Sequence, residues 1–264
     1  MDLGLSGAVA VVTGGTSGVG LAAVELFLAE GASVALCSRN AGRVEEQTNR
    51  LRERYGERVF GAPADVCDAA AVGRFRDAVA ERFGRADVLV HSAGESRMAS
   101  FEATDDAAWR QEIELKFFGF INPTRAFLPD LRASRNASIV YVCALLAVQP
   151  DARLAATSAT RAGVLNLMKS LSFELAPAIR VNAILLGIIE SGQWERRWRA
   201  EQAHGNAIER AAFMEQLARD RAVPLGRVGK PEEVAQAIAF LASPLSAYTT
   251  GATLELSGGL RRSV

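Results

Sequence analysis

Thr13-Gly14-Gly15-Thr16-Ser17-Gly18-Val19-Gly20 joins a short apolar run, 8–13, to an amphipathic stretch, 17–30. The run is bounded by glycine and reads as a buried strand; Leu21, Val24, Leu26 and Phe27 give the following helix its packing side. Such a turn suits a phosphate, because glycines let the backbone approach closely and the first helical N–H groups point at negative charge. Gly14, Gly18 and Gly20 are spaced G-x3-G-x-G, not the G-x-G-x-x-G of the ordinary dinucleotide fingerprint. The plain alternative is a glycine-rich turn with no ligand. Its place after a buried strand at the head of the chain favours the ligand.

Working outward, short β-rich runs alternate with longer amphipathic stretches along the whole chain. Strands are predicted at 33–37, 58–61, 87–91, 138–143, 180–185 and 252–256, and helices at 43–54, 69–83, 107–132 (one long helix or a pair), 159–175 and 231–241. This rhythm predicts an α/β fold, a Rossmann-type doubly wound parallel sheet. No linker or repeat divides residues 1–264, so a single domain is expected. One polar passage, about 190–221, breaks the rhythm as a helical excursion carrying Trp194 and Trp198 one turn apart.

Composition narrows the classes. The 264 residues are 49% hydrophobic and 23% charged, which excludes disordered, collagen-like and coiled-coil chains. Thirty basic residues cancel thirty acidic ones, so nothing in the net charge favours nucleic acid or an anionic membrane. No run approaches the ~20 apolar residues of a membrane span. Cys37, Cys67 and Cys143 are odd in number and unpaired in spacing, which predicts reduced thiols, and no spacing suggests a metal. The first residues lack the basic region of a secretory signal, so a cytoplasmic protein is expected. Only Lys116, Lys169 and Lys230 are lysines; every other basic residue is arginine.

The glycine spacing, with a series of ordered motifs, resembles the short-chain dehydrogenase/reductase family over essentially the whole chain. The motifs are Asp65-Val66, His91-Ser92-Ala93-Gly94 in place of Asn-Asn-Ala-Gly, Arg180-Val181-Asn182-Ala183, Gly187 with Ser191, Thr250-Gly251 and Ser257-Gly258-Gly259. The resemblance implies a nicotinamide cofactor held by Thr13, Gly14, Thr16, Ser17, Gly18, Val19 and Gly20, by Asp65 and Val66, by Ser92, Ala93 and Gly94, and by Gly187, Ile189 and Ser191. An acidic residue after the second strand would accept the ribose of NAD and repel a 2′-phosphate. Ser38-Arg39 stands there instead, and a guanidinium fork matches phosphate, so NADP(H) is expected. The alternative is that Arg39 is a solvated charge or stacks on adenine.

The resemblance then breaks. Where the family has its catalytic tyrosine, lysine, serine and asparagine, this chain has Thr157, Arg161, Ala144 and Lys116. Threonine ionises far above tyrosine (~10) and cannot supply a proton in the same way. Ala144 offers no side-chain hydrogen bond, and Arg161 can hold ribose hydroxyls but stays protonated. Lys116 runs against the compositional bias. With Arg161 it places two cations near the nicotinamide, unfavourable unless an anion lies between them: Glu190, Glu95 or an acidic substrate. Otherwise Lys116 turns aside to Glu112 or Glu114 on its own helix. Ser96, Cys143, Glu190 and Trp194 are further substrate-side candidates; Trp194 with Trp198 would form an apolar lid over the substrate. Cys143 reads as packing in the plainer view, His91 as a hydrogen-bonded core histidine, and His204 as solvated.

These residues imply an NADP(H)-dependent oxidoreductase with an atypical proton source, acting on a carbonyl, enone or imine; an acidic substrate would set its carboxylate or phosphate between the two cations. The alternatives are an NADP(H)-binding sensor, scaffold or inactive partner, and a non-redox enzyme such as a cyclase or isomerase. The resemblance further implies a homotetramer or homodimer through the helices around 116–132 and 159–175, a small-molecule substrate, and neither nucleic acid nor membrane as partner.

Overall fold

Seven strands, β1 (Val9–Thr13), β2 (Ser33–Ser38), β3 (Val59–Pro63), β4 (Val88–His91), β5 (Ala137–Ala144), β6 (Ile179–Leu186) and β7 (Thr253–Leu256), form one parallel sheet in the order β3-β2-β1-β4-β5-β6-β7. The computed structural model describes residues 2–204 and 208–263. Strand β1 is buried along its whole length, as a strand covered on both faces must be. The strand order reverses between β1 and β4. Loops on either side of that point diverge and leave a crevice at the carboxyl ends of the strands.

Helices α1 (Gly18–Ala29), α2 (Ala41–Tyr55) and α3 (Ala69–Phe83) follow the first three strands. After β4 come α4 (Asp106–Ile113) and α5 (Gly119–Ala133), joined without a break by a π-helical turn, Glu114–Phe118. The expected helix over 107–132 is therefore one rod with a widened turn. Helix α6 (Ala155–Glu174) starts four residues before the expected 159, and α9 (Pro231–Ala242) precedes β7. One apolar cluster fills the space between the sheet and α1 and α9, with Phe27, Leu36 and Ile238 at its centre. The other, including Phe120, Phe127, Ile139 and Met168, packs α3, α5 and α6 on the opposite face.

The polar excursion forms α7 (Gly192–Ala203) and α8 (Arg210–Asp220). A small third cluster of Met214, Leu217, Ala218, Val223 and Val228 ties it to the domain. Residues 205–207 of the expected excursion lie outside the described residues. Among the described residues no helix is long and apolar enough to cross a membrane, and no group of metal-ligating side chains converges.

Candidate active site

The strand ends open into one cleft of about 1340 Å³. At one end the backbone builds a cradle. Gly14 adopts φ +68°, and a side chain there would run into Ala93; a Cβ on Gly20 would strike the Gly14 carbonyl. Thr13 is buried and its hydroxyl accepts from the Ser92 and Ala93 N–H groups at 3.3 Å, which locks the turn after β1 to the turn after β4. Ser17 precedes α1 in extended conformation without capping it by its side chain, so the helix presents its first N–H groups to the cleft. Beside the cradle, Ser38 Oγ is buried with no partner. Arg39 and Arg43 line the cleft there and, among the described residues, neither makes an ion pair. An orphaned hydroxyl and two free guanidiniums next to a backbone anion cradle fit a dinucleotide with an extra phosphate on its adenosine half.

The other end is built from side chains. The π-turn carries Lys116 into the cleft wall, where it is only 4% exposed. Its ammonium donates to the Glu95 carbonyl at 2.6 Å and pairs with the Glu112 carboxylate at 3.4 Å. Glu112, also 4% exposed, accepts from the Thr157 hydroxyl at 2.7 Å. Burial, seconded by the neighbouring Arg161 guanidinium, lowers the Lys116 ammonium to about 8, while Glu112 opposes the shift. Arg161 lines the same wall, makes no ion pair among the described residues, and leaves its Nε buried without a partner. Cys143 and Tyr141 stand beside it on β5.

Most of the expected cofactor residues line the cleft: Gly14, Thr16, Ser17, Gly18, Val19, Ser38, Arg39, Val66, Ser92, Ala93, Gly94, Arg161, Gly187, Ile189 and Ser191. Thr13, Gly20 and Asp65 do not. The first two support the cradle from behind, and Asp65 accepts from the Cys67 N–H at 3.0 Å, shaping its own turn. Loop 187–191 is fixed by the Ile189–Gly229 bridge. On the substrate side Lys116, Ala144, Ser96, Cys143, Glu190 and Trp194 all face the cleft.

Three expectations need correction. Thr157 is fully buried and held by Glu112, so it does not face a substrate. The anion paired with Lys116 is Glu112, one helical turn away, so the own-helix alternative holds; Glu190 is committed to Arg210 at 2.8 Å, and Glu95 offers Lys116 its carbonyl, with its carboxylate charge acting at longer range. Trp194 and Trp198 do not act as a pair: Trp194 lines the cleft, whereas the Trp198 indole donates to the Ile208 carbonyl within the excursion. His91 is a core histidine, bonded to Thr124 at 3.0 Å and pushed by burial to about 3, hence neutral.

Sequence reasoning passed over Arg43 and Tyr141 and left Glu112 as an alternative. Arg43 lies on the first turn of α2, four residues beyond Arg39, a legible signal. Glu112 was visible only as a helical partner for Lys116, because burial does not show in an i,i+4 spacing. Tyr141 is 5% exposed, stacks edge-on against Phe120 and meets the Arg161 guanidinium. No spacing relates it to Arg161.

A family profile described as enoyl-(acyl carrier protein) reductase matches residues 14–261. The chain is 34% identical to the 3-oxoacyl-[acyl-carrier-protein] reductase of Thermotoga maritima, over 97% of this chain and 98% of that one. Its fold superposes with TM-score 0.92 on the NADPH-bound short-chain oxidoreductase of Pseudomonas aeruginosa PAO1, a protein with an atypical catalytic centre, at 51% identity over 97% and 98% of the two chains. The L-sorbose reductase of Gluconobacter frateurii, solved with NADPH and L-sorbose, gives 0.94 at 31% identity over the full length of both. Sheet order, cradle and full-length likeness agree: the chain belongs to the short-chain dehydrogenase/reductase family of oxidoreductases.

Proposed function

We propose that the protein is an NADP(H)-dependent oxidoreductase that exchanges hydride with a carbonyl, conjugated enone or imine carbon, with Lys116 in the acid–base role. The observation that carries this reading is the buried ammonium on the cleft wall, held by Glu112 and Glu95 and lowered to about 8. An acid poised near neutrality is what proton transfer to a developing alkoxide or amine requires. The NADPH-bound structure of the Pseudomonas aeruginosa relative, with its atypical centre, supports both the cofactor and an unusual constellation.

The nicotinamide supplies the hydride when bound. The chain's residues do the rest. The cradle at Gly14–Gly20 accepts the pyrophosphate, Arg39 and Arg43 receive the 2′-phosphate, and Ser38 bonds next to it. Arg161 takes the ribose hydroxyls where the family's lysine does. Lys116 gives its proton to the substrate heteroatom and is left neutral, a state that burial favours, while Glu112 holds it in place and Thr157 holds Glu112. Ala144 leaves the substrate without the family's serine contact, so Lys116 is the principal polarising group. Residues 1–264 form one domain in which α7 and α8 act as a lid, with Trp194 as its inner wall. Exposed Ile113, Phe118 and Phe173 along α4–α6 support assembly through those helices.

NADPH oxidation against a panel of ketones, enones and imines tests the reading. Turnover of at least one class that is lost in Lys116→Ala is expected. Tight NADPH binding with no hydride transfer to any of them would assign the protein to non-redox use of the cofactor.

A further inference from the structure

The loop after β5 and the lid meet at the outer end of the cleft, and positive charge gathers there. Asp151 is held by Arg153 through two contacts, at 2.8 and 3.1 Å, and is approached by Arg221 at 3.7 Å. Two guanidiniums thus share one carboxylate. Arg197 adds a third, lying 4.7 Å over the Trp194 ring and donating to the Met98 sulfur at 3.4 Å. The charges of Arg153 and Arg197 oppose that of Arg221, which is largely sheltered, with 21% of its side chain exposed.

The imbalance extends along the wall. The cleft is lined by seven basic and three acidic side chains, on a chain whose charges cancel. Arg39 and Arg43 belong to the nucleotide end: they follow β2, three strands from β5, or about 14 Å across the sheet. Lys116 is neutralised by Glu112, and Glu190 is engaged by Arg210. What remains at the substrate end is Arg161, Arg196, Arg221 and Arg262 against Glu95 and Asp151. Like charges crowded into a partly dry cleft are unfavourable unless an anion lies among them.

We infer that the outer end of the cleft binds an anionic oxygen group of the substrate, carboxylate or phosphate, with Arg221 as its central contact and Arg196 and Arg262 closing around it. The reacting carbon then lies inward, near Lys116. This deepens the reading above, since it takes the cleft as a substrate site, and it moves the acidic group away from Lys116 to the mouth. The substrate class is a carbonyl, enone or imine compound with an acidic tail. Guanidinium forks match either oxyanion.

Calorimetry on the NADP-loaded protein, with pentanoate, butyl phosphate and pentanamide as probes, decides it. Pentanoate or butyl phosphate is expected to bind at least tenfold more tightly than the neutral amide, and the stronger of the two names the anion. Arg221→Gln should weaken the anion at least tenfold while the affinity for NADP stays within twofold; Arg262→Gln, on an exposed tail, should weaken it severalfold even where the first variant folds poorly. Equal binding of acid and amide, no binding of either anion, or indifference to both substitutions overturns the inference. Hydride transfer is not measured in these arms, so a redox-inactive protein that still selects anions would sink the proposed reaction and leave the anion site standing.

Discussion

The two ends of the cleft are built from different material. The nucleotide end is backbone: glycines at 14 and 20 that admit no Cβ, a helix start, and a hydroxyl that ties two turns together. The proposed reacting end is side chain: a carboxylate with an ammonium at 3.4 Å and a hydroxyl at 2.7 Å, nearly dry. A backbone cradle tolerates little change because every atom is shared with the fold. A side-chain constellation can be exchanged residue by residue, provided charge and hydrogen bonds still close. On the proposed reading, that asymmetry lets one chain keep the family's cofactor end while its reacting end carries Lys116 and Glu112.

Substitutions at the two ends should therefore fail differently. Lys116→Ala is expected to lower turnover by ~10²–10⁴-fold, the usual contribution of a positioned acid, with NADPH affinity within a few fold; steady-state kinetics with a binding titration separates the two. Glu112→Gln leaves a buried ammonium unpaired, which should lower folding stability by about 3 kcal/mol at pH 7. The loss should shrink at pH 9.5, because the folded-state ammonium, already lowered to about 8, sheds its proton while the unfolded chain keeps it. Denaturant melts at the two pH values check the sign. Arg39→Ala should weaken NADPH by roughly 10–30-fold, the worth of a charge-assisted contact, and leave NADH unchanged. Equal weakening of both would detach Arg39 from the 2′-phosphate. Tyr141→Phe should change turnover by less than about threefold, since burial holds the phenol protonated in every step. A large loss would move the proton from Lys116 to Tyr141 and redraw the reacting end.

The same contrast governs what could be read before the fold was seen. The strands, the doubly wound sheet and the glycine turn are carried by local periodicity and by glycine at fixed offsets, so they were legible to within a few residues. Lys116 was legible as a departure from an arginine-rich composition. Its partner was legible only as one of two candidates on the same helix, Glu112 and Glu114, and burial against Thr157 distinguishes Glu112. Arg221 and Asp151 are seventy residues apart, and their meeting depends on how the lid seats on the loop after β5. The long stretch over 107–132 concealed the π-turn for a related reason, since a single widened turn disturbs a long apolar period too little to be read from spacing.

The central claim is that Lys116 is the acid of an NADPH-dependent reduction, and the pH dependence of single-turnover NADPH oxidation tests it most directly. The rate should be level below neutrality and fall as pH rises through about 8, when the ammonium loses its proton, and in Lys116→Ala the slow residual rate should show no such limb. An unchanged rate and an unchanged limb in Lys116→Ala would contradict the claim.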